Sequence, residues 1–194
     1  MNRTLIVMVK EPRPGRVKTR LGRDIGLTNA AWWFRHQTKA LLRHVQDPRW
    51  QVVLAVAPDR EGLQSRIWPA HLPRWAQGPG DLGARMGRAL ASALPGPACV
   101  IGADIPGIRA HHIASAFDAL GRNDAVFGPA PDGGYWLVGL KRNRPAPPSL
   151  FQNVRWSSAC ALADTKASLP GYRIAEIATL RDVDTAADLS AICP

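Results

Sequence analysis

The chain has 194 residues, of which 46% are hydrophobic, and it carries 25 Lys and Arg against 15 Asp and Glu, a formal net charge of +10. This length fits one domain over residues 1–194, and the apolar content excludes a disordered chain. No apolar run approaches the ~20 residues of a membrane span. Three scattered cysteines without a Cys-x-x-Cys pair are typical of a reducing compartment, so we expect a cytoplasmic protein.

Strand-like and helical segments alternate along the chain. Apolar runs predict strands, and apolar residues at helical spacing predict helices. In the first long helix, Trp32, Leu41, Leu42 and Val45 are predicted to face the core. The alternation predicts an α/β fold with a mostly parallel central sheet, in which ligands bind beyond the carboxyl ends of the strands. The predicted strands are 4–9, 51–57, 72–76, 98–103, 125–128, 135–140 and 172–177, and the predicted helices are 28–47, a short piece after Asp59, 82–94, 109–121, 157–168 and 185–192.

The segment after the first strand, residues 10–22, is predicted to be a loop and concentrates positive charge. The first fifty residues carry +8 of the net charge, so the basic character belongs to one region and does not indicate a nucleic-acid-binding face. Arg and Lys side chains at this place suit an anionic di- or triphosphate, although the spacing of a P-loop is absent. With the nearby Arg23, six cations stand against the single acid Glu11: Lys10, Arg13, Arg16, Lys18, Arg20 and Arg23.

Carboxylates follow the third long strand and recur near the C-terminus. Asp104 comes at the end of the strand predicted at 98–103, and Asp182 and Asp184 flank Val183. Carboxylate oxygens are hard ligands that suit Mg²⁺ or Mn²⁺ bridging to phosphate. The alternative is structural, with Asp104 in a turn or helix cap and Asp184 capping the last helix.

A glycine-rich segment offers a second interpretation. Residues 78–83 read G-x-G-x-x-G, and Asp104 follows 21 residues later, the spacing of a dinucleotide-binding fingerprint. However, Pro79 stiffens the turn and Asp81 would lie among the pyrophosphate oxygens, so we place this interpretation second. Asp81 is also suited to cap the helix predicted at 82–94.

Five segments in chain order carry a family resemblance: Pro-Gly-Arg-Val-Lys-Thr-Arg-Leu (14–21), Gly-Asp-Leu-Gly-Ala-Arg-Met (80–86), Val-Ile-Gly-Ala-Asp-Ile-Pro-Gly (100–107), Asp-Gly-Gly-Tyr-Trp-Leu-Val-Gly-Leu (132–140) and Asp-Val-Asp-Thr (182–185). Together they resemble the bacterial family of short GT-A-fold, glycosyltransferase-like (nucleotide-diphospho-sugar transferase) proteins. Through Lys-Thr-Arg-Leu the chain is also similar to the 2-phospho-lactate guanylyltransferases. The resemblance implies a GT-A-like fold over nearly the whole chain.

The resemblance also implies roles for individual residues. Asp104, Lys18 and Asp132 would be catalytic, and Asp104 with Asp182 and Asp184 would bind Mg²⁺ or Mn²⁺. Gly133, Gly134, Tyr135 and Trp156 would lie on the acceptor or sugar side. The nucleotide and its phosphates would contact Arg13, Gly15, Arg16, Lys18, Arg20, Gln77 and Arg85.

The implied function is metal-dependent transfer from a nucleotide-activated donor to a small acceptor. A glycosyltransferase would use a nucleotide-diphospho-sugar and release a nucleoside diphosphate, and this is the first expectation. A guanylyltransferase-like nucleotidyltransferase would use a nucleoside triphosphate and release pyrophosphate. A nucleotide-binding protein without catalysis is the third possibility, and the sequence leaves the base, sugar, acceptor and oligomeric state open.

Overall fold

The computed structural model describes residues 2–190, in which one seven-stranded sheet is flanked by helices. The last two residues of the helix predicted at 185–192 lie outside the described residues, as does Cys193. The strands are β1 (Thr4–Lys10), β2 (Gln51–Ala57), β3 (Arg74–Ala76), β4 (Ala98–Gly102), β5 (Ala125–Pro129), β6 (Tyr135–Leu140) and β7 (Ile174–Glu176). The helices are α1 (Thr19–Ile25), α2 (Leu27–His44), α3 (Asp59–Gln64), α4 (Leu82–Ser92), α5 (Ala110–Arg122), α6 (Ala161–Ala167) and α7 (Ala186–Ser190).

The sheet has the order β3-β2-β1-β4-β6-β5-β7 and is mostly parallel. Only β6 runs against its neighbours, β4 and β5, while the β1–β2, β1–β4, β2–β3 and β5–β7 pairs are parallel. The α/β class and the mostly parallel sheet predicted from the sequence are therefore confirmed. No helix within residues 2–190 is long and apolar enough to cross a membrane.

The central strands are apolar throughout because both faces of the sheet are covered. Successive side chains of a strand point to opposite faces. In β1, Leu5 and Val7 belong to the core layer that contains α2 and α5, whereas Ile6 belongs to the layer that contains α4. These three side chains have no exposed surface, as expected for a strand buried on both sides.

Two details of the N-terminal region correct the sequence prediction. Residues 19–25 form α1, although the segment through Gly22 was predicted to be a loop; fully buried Leu21 packs with Ala30 and Val183 and so fixes this short helix. Trp32 does not face the core and is 58% exposed, because the adjacent Trp33 takes the inward position on α2. The predicted burial of Leu41, Leu42 and Val45 is confirmed.

The direction of the strands brings four loops to one edge of the sheet. The carboxyl ends of β1, β3, β4 and β5 lead into residues 11–18, 77–81, 103–109 and 130–134. Because β6 is antiparallel, it starts at the edge where β5 ends, so the short turn between them stays there. The loops singled out in the sequence therefore meet at one side of the molecule.

Candidate active site

Three carboxylates converge at the carboxyl edge of the sheet. Asp104 follows β4, and Asp182 and Asp184 come from the irregular segment between β7 and α7. One carboxylate oxygen from each lies within 4.8 Å of the others. Val183 is fully buried, and its backbone N–H donates to the carbonyl oxygen of Asp104 at 3.3 Å. This anchor holds the C-terminal segment against the loop after β4, and we call the three carboxylates the acidic triad.

A lysine ammonium group lies between two members of the acidic triad. Lys18 Nζ is 2.7 Å from Asp104 Oδ2 and 2.6 Å from Asp184 Oδ1, and the lysine side chain is only 6% exposed. Burial alone would lower the pKa of Lys18, but attraction to Asp104 and hydrogen bonds to both carboxylates outweigh it and raise the pKa. Two of the three carboxylates are thus already paired with a cation.

One ammonium group does not balance three carboxylates. Burial raises the pKa of Asp182 to about 6, and repulsion from Asp184 and Asp104 adds to the effect. The repulsion among these carboxylates is the part of the effect that a divalent cation would relieve. Three carboxylate ligands fit Mg²⁺ or Mn²⁺ and do not resemble a zinc site built from Cys and His.

The acidic triad lines a cleft of about 850 Å³, and basic side chains form another part of its lining, which we call the basic wall. Arg85 projects from the first turn of α4, and its Nε donates to the carbonyl oxygen of Gly80 at 3.0 Å. Arg20 is 71% exposed and lies 3.4 Å from Asp184. The predicted phosphate-binding residues that line the cleft are Arg16, Lys18, Arg20, Gln77 and Arg85. Arg13 and Gly15 lie on the same loop but are not part of its lining.

Gln77 has a structural task at the floor of the cleft. It is 4% exposed, and its amide nitrogen donates to the carbonyl oxygens of Val9 at 3.2 Å and Ala55 at 2.8 Å. These bonds tie the end of β3 to β1 and β2. The amide nitrogen of Gln77, which was predicted to contact the nucleotide, is therefore hydrogen-bonded to the backbone instead. The sequence did not indicate this structural role.

The glycine-rich segment begins a helix. Asp81 Oδ1 accepts a hydrogen bond from the backbone N–H of Ala84 at 2.8 Å and so caps α4, which confirms the capping interpretation. Asp104, which a dinucleotide site would use for a ribose, instead contacts Lys18. The geometry therefore favours the acidic-triad interpretation of Asp104 over the dinucleotide one.

The third wall of the cleft comes from the β5–β6 turn and the segment before α6. Asp132, Gly134, Tyr135 and Trp156 line it. Asp132 Oδ1 accepts from the backbone N–H of Gly134 at 2.9 Å, which orients the carboxylate. Gly133 is not in the lining; it has φ +84°, and the backbone of Ala159 occupies the space that a side chain would need.

A second cavity adjoins the cleft and was not predicted. It has a volume of about 500 Å³ and shares Lys10, Arg16 and Arg85 with the cleft. We call it the side cavity; its remaining lining residues are Glu11, Ala57, Pro58, Asp59, Gly78 and Pro79. The sequence identifies Lys10 as one of the cations of the loop without indicating a place in the site, and it indicates only a counter-charge role for Glu11.

The fold defines a class of protein. A mostly parallel sheet with flanking helices and ligand loops at its carboxyl edge is the GT-A-like arrangement of the nucleotide-diphospho-sugar transferases. A Desulfovibrio desulfuricans G20 protein, named provisionally as a nucleotide-diphospho-sugar transferase, has a crystal structure that matches with a TM-score of 0.89. The two sequences are 30% identical, and the match covers 99% of this chain and 87% of the other. The chain belongs to the bacterial family described as "uncharacterized protein conserved in bacteria (DUF2064)", whose sequence profile matches residues 40–158.

More distant structures share the fold. Rv0371c from Mycobacterium tuberculosis H37Rv, crystallised as a complex with manganese, matches with a TM-score of 0.58 at 16% identity, over 99% of this chain and 97% of its own. The 4-diphosphocytidyl-2C-methyl-D-erythritol synthase of Anaerococcus prevotii DSM 20548 matches with a TM-score of 0.60 at 10% identity, over 98% and 95%. No curated protein sequence matches the chain significantly. The structural relatives thus include both sugar-transferase-like proteins and nucleotidyltransferases.

Proposed function

We propose that residues 1–194 act as one domain that transfers a group from a nucleotide-activated donor with the help of a divalent cation, and that the donor is a nucleotide-diphospho-sugar. The observation that carries the proposal is the acidic triad, whose oxygens lie within 4.8 Å of one another in a cleft that also holds Arg16, Arg20 and Arg85. Divalent metal ions and arginine side chains both bind phosphate oxygens, so a site that combines them is suited to a diphosphate.

The basic wall would bind the donor phosphates. Arg16 and Arg85 can offer forked N–H groups, and Lys10 adds a point charge at the junction with the side cavity. Arg20 is largely exposed and is only 3.4 Å from Asp184, so it can reach phosphate beside the acidic triad. Arg13 and Gly15 would act indirectly, through the shape of the loop that carries Arg16.

The acidic triad would hold Mg²⁺ or Mn²⁺ through Asp104, Asp182 and Asp184. Such an ion, when bound, supplies positive charge that stabilises the departing diphosphate. Lys18 neutralises part of the triad without metal, and we propose that its ammonium group turns to the donor phosphates when the acids are occupied. Asp132, oriented by Gly134, would accept the proton of the acceptor hydroxyl.

The third wall of the cleft, which we call the acceptor wall, favours transfer to an uncharged hydroxyl compound. Among the described residues, those of segment 130–158 that line the cleft include no Lys or Arg. A phosphorylated acceptor held there would face Asp132 without a counter-charge. Aromatic and small side chains instead suit a neutral ring with hydroxyl groups. The members of this wall are Ala130, Asp132, Gly134, Tyr135, Trp136, Val138, Trp156, Ser157 and Ser158.

Nucleotidyl transfer is the second candidate, and one observation favours it. Lys10, Arg16 and Arg85 lie at the junction of the two cavities, beyond the acidic triad and Arg20, so the cations extend further than a diphosphate requires. A nucleoside triphosphate could use them all, and the attack of an acceptor on its α-phosphorus would release pyrophosphate. Analysis of the product separates the two: a nucleoside diphosphate indicates glycosyl transfer, whereas pyrophosphate indicates nucleotidyl transfer.

Titration of the purified protein with nucleoside diphosphates tests the proposal. With Mn²⁺ present, at least one nucleotide should raise the melting temperature, and Asp104→Asn should abolish the metal-dependent part of that shift. Asp118→Asn is the matched control, because Asp118 is 70% exposed, lines neither cavity and, among the described residues, forms its one ion pair with Arg3. If Asp104→Asn responds like the wild type, the metal role of the acidic triad is wrong. Binding without turnover of any donor would identify a nucleotide-binding protein without catalysis.

A further inference from the structure

The cleft accounts for only part of the positive charge in the first fifty residues. Four cations of that region line the cleft, whereas three others lie on α2. Arg35, Lys39 and Arg43 line neither the cleft nor the side cavity. None of the ion pairs formed within residues 2–190 involves them. The proposed function therefore gives these three cations no role.

The three cations follow one line along the surface of the helix. They are spaced four residues apart, so each side chain lies about one turn beyond the one before it. Like charges at this spacing repel one another and destabilise a helix. The 18 residues of α2 include no Asp or Glu that could offset the repulsion. An anionic surface outside the protein would offset it.

An exposed indole belongs to the same face of α2. Trp32 is 58% exposed, more than any other large hydrophobic side chain among residues 2–190. His36 holds it in place: the two rings stack with a centroid distance of 5.4 Å, and His36 Nδ1 donates to the carbonyl oxygen of Trp32 at 2.8 Å. The members of this face, which we call the α2 stripe, are Trp32, Arg35, His36, Lys39 and Arg43.

We propose that the α2 stripe binds the protein to a membrane surface that contains anionic phospholipids. The cations would lie at the lipid phosphates, and the indole would lie at the boundary between the headgroups and the acyl chains. An indole suits this boundary because its ring is apolar and its N–H group can still reach water or a headgroup. Each cation close to an anionic leaflet strengthens binding by about 5-fold, so three cations predict a preference of about 100-fold over a neutral surface.

The shape of the face favours a lipid surface over a nucleic acid. Proteins that bind single strands use a basic groove in which the bases stack on aromatic side chains. No residue of the α2 stripe lines either cavity of the described chain, and the outward face of a helix is convex. A fluid lipid surface can adapt to a convex face that carries one apolar anchor. Because the stripe lies outside the cleft, this inference does not depend on the proposed function.

Sedimentation of the protein with lipid vesicles measures the binding. The probes are vesicles of phosphatidylcholine alone and vesicles in which one third of the lipid is phosphatidylglycerol. The wild type should bind the anionic vesicles about 100-fold more tightly than the neutral ones. Salt at about 0.5 M should remove most of this difference, because it screens the attraction between the cations and the lipid phosphates.

Variants of the stripe test whether this face makes the contact. Lys39→Gln/Arg43→Gln should weaken binding to the anionic vesicles by about 30-fold. Arg60→Gln/Arg66→Gln is the matched control, because it removes the same charge from two exposed side chains outside α2. The control should lose at most about 3-fold, since charges further than a Debye length from the lipid are screened. Trp32→Ala should weaken binding by about 10-fold, whereas Trp32→Phe should retain most of it.

The melting temperature of each variant shows whether the protein is still folded. It should not fall in Lys39→Gln/Arg43→Gln, because the substitution removes repulsion within α2 and breaks no ion pair of the described chain. Weaker vesicle binding at an unchanged melting temperature therefore supports a role for the stripe in the contact itself.

Four results would overturn the inference. Equal losses in the two double variants would show that net charge alone attracts the protein to lipid. The wild type could bind neither kind of vesicle, or it could bind a single-stranded oligonucleotide more tightly than the anionic vesicles. A dimer that forms without lipid and that Trp32→Ala dissociates would show that a second copy covers the face. None of these results bears on nucleotide binding at the acidic triad.

Discussion

Replacement of Lys18 by methionine should lower the stability of the metal-free protein and increase the stabilisation that added metal provides. The ammonium group is the only cation within 3 Å of Asp104 and Asp184 among the described residues, so its loss leaves the acidic triad unbalanced. Removing one partner of a fully buried ion pair costs about 3–5 kcal/mol. The carboxylates are 32% and 39% exposed, however, and solvent screens part of this cost. We therefore expect a loss of about 2 kcal/mol, or about 4–8 °C in melting temperature for a chain of this size.

Added Mn²⁺ should reverse the effect, because a divalent cation no longer competes with the ammonium group for the carboxylates. At a metal concentration of about 100 times the dissociation constant, binding stabilises a protein by about 2.7 kcal/mol. Differential scanning fluorimetry with and without Mn²⁺ measures both effects, and the increase should be larger in Lys18→Met than in the wild type. Lys166→Met is the control, because it removes a solvent-accessible ion pair with Glu176. A metal-free melting temperature equal to that of the wild type would refute the reasoning, as would an equal response to metal.

Two further predictions concern residues outside the acidic triad. Hydrogen bonds from Arg155 lower the pKa of Asp164 to about 2, so this pair should stabilise the protein fully above pH ~4 and progressively less as the pH falls towards 2. The melting temperature of Asp164→Asn should depend less on pH over that interval, and an unchanged dependence would contradict the assignment. Gly133→Ala should lower the stability by about 1–3 kcal/mol, because the backbone of Ala159 fills the space and φ is +84°. Chemical denaturation measures this loss, and Gly121→Ala, which meets no atom within 4 Å, is the control.

The long strands could be predicted because their residues are almost all apolar. Continuous apolar runs of this length, as in β1, β2 and β4, are typical of strands that are covered on both faces of a sheet. The helix α1 could not be predicted in the same way. It has seven residues and only one fully buried aliphatic side chain, Leu21, whose partner Val183 lies 162 residues further along the chain.

In the candidate site, too, contacts between residues that are distant in the sequence could not be predicted. The positions of Asp104 and Arg16 after strands predicted that they would lie at one edge of the sheet. Nothing in the sequence indicated that Lys18 would contact the acids, because those contacts join residues 86 and 166 positions apart. The sequence does not indicate that a carboxylate oxygen of Glu11 lacks a partner, because an acid among six cations is typical of an ordinary counter-charge and the burial of Glu11 is visible only in the structure.

The anchor at Val183 has a consequence for how the protein is made. The basic loop and Asp104 leave the ribosome long before residues 182–184, which are needed to complete the acidic triad and to pair with Lys18. A nascent chain that has formed the central strands can therefore present its basic wall, but it lacks two of the three carboxylates. The proposed metal site should consequently be complete only after residue 184 has been synthesised and Val183 has packed against the loop after β4.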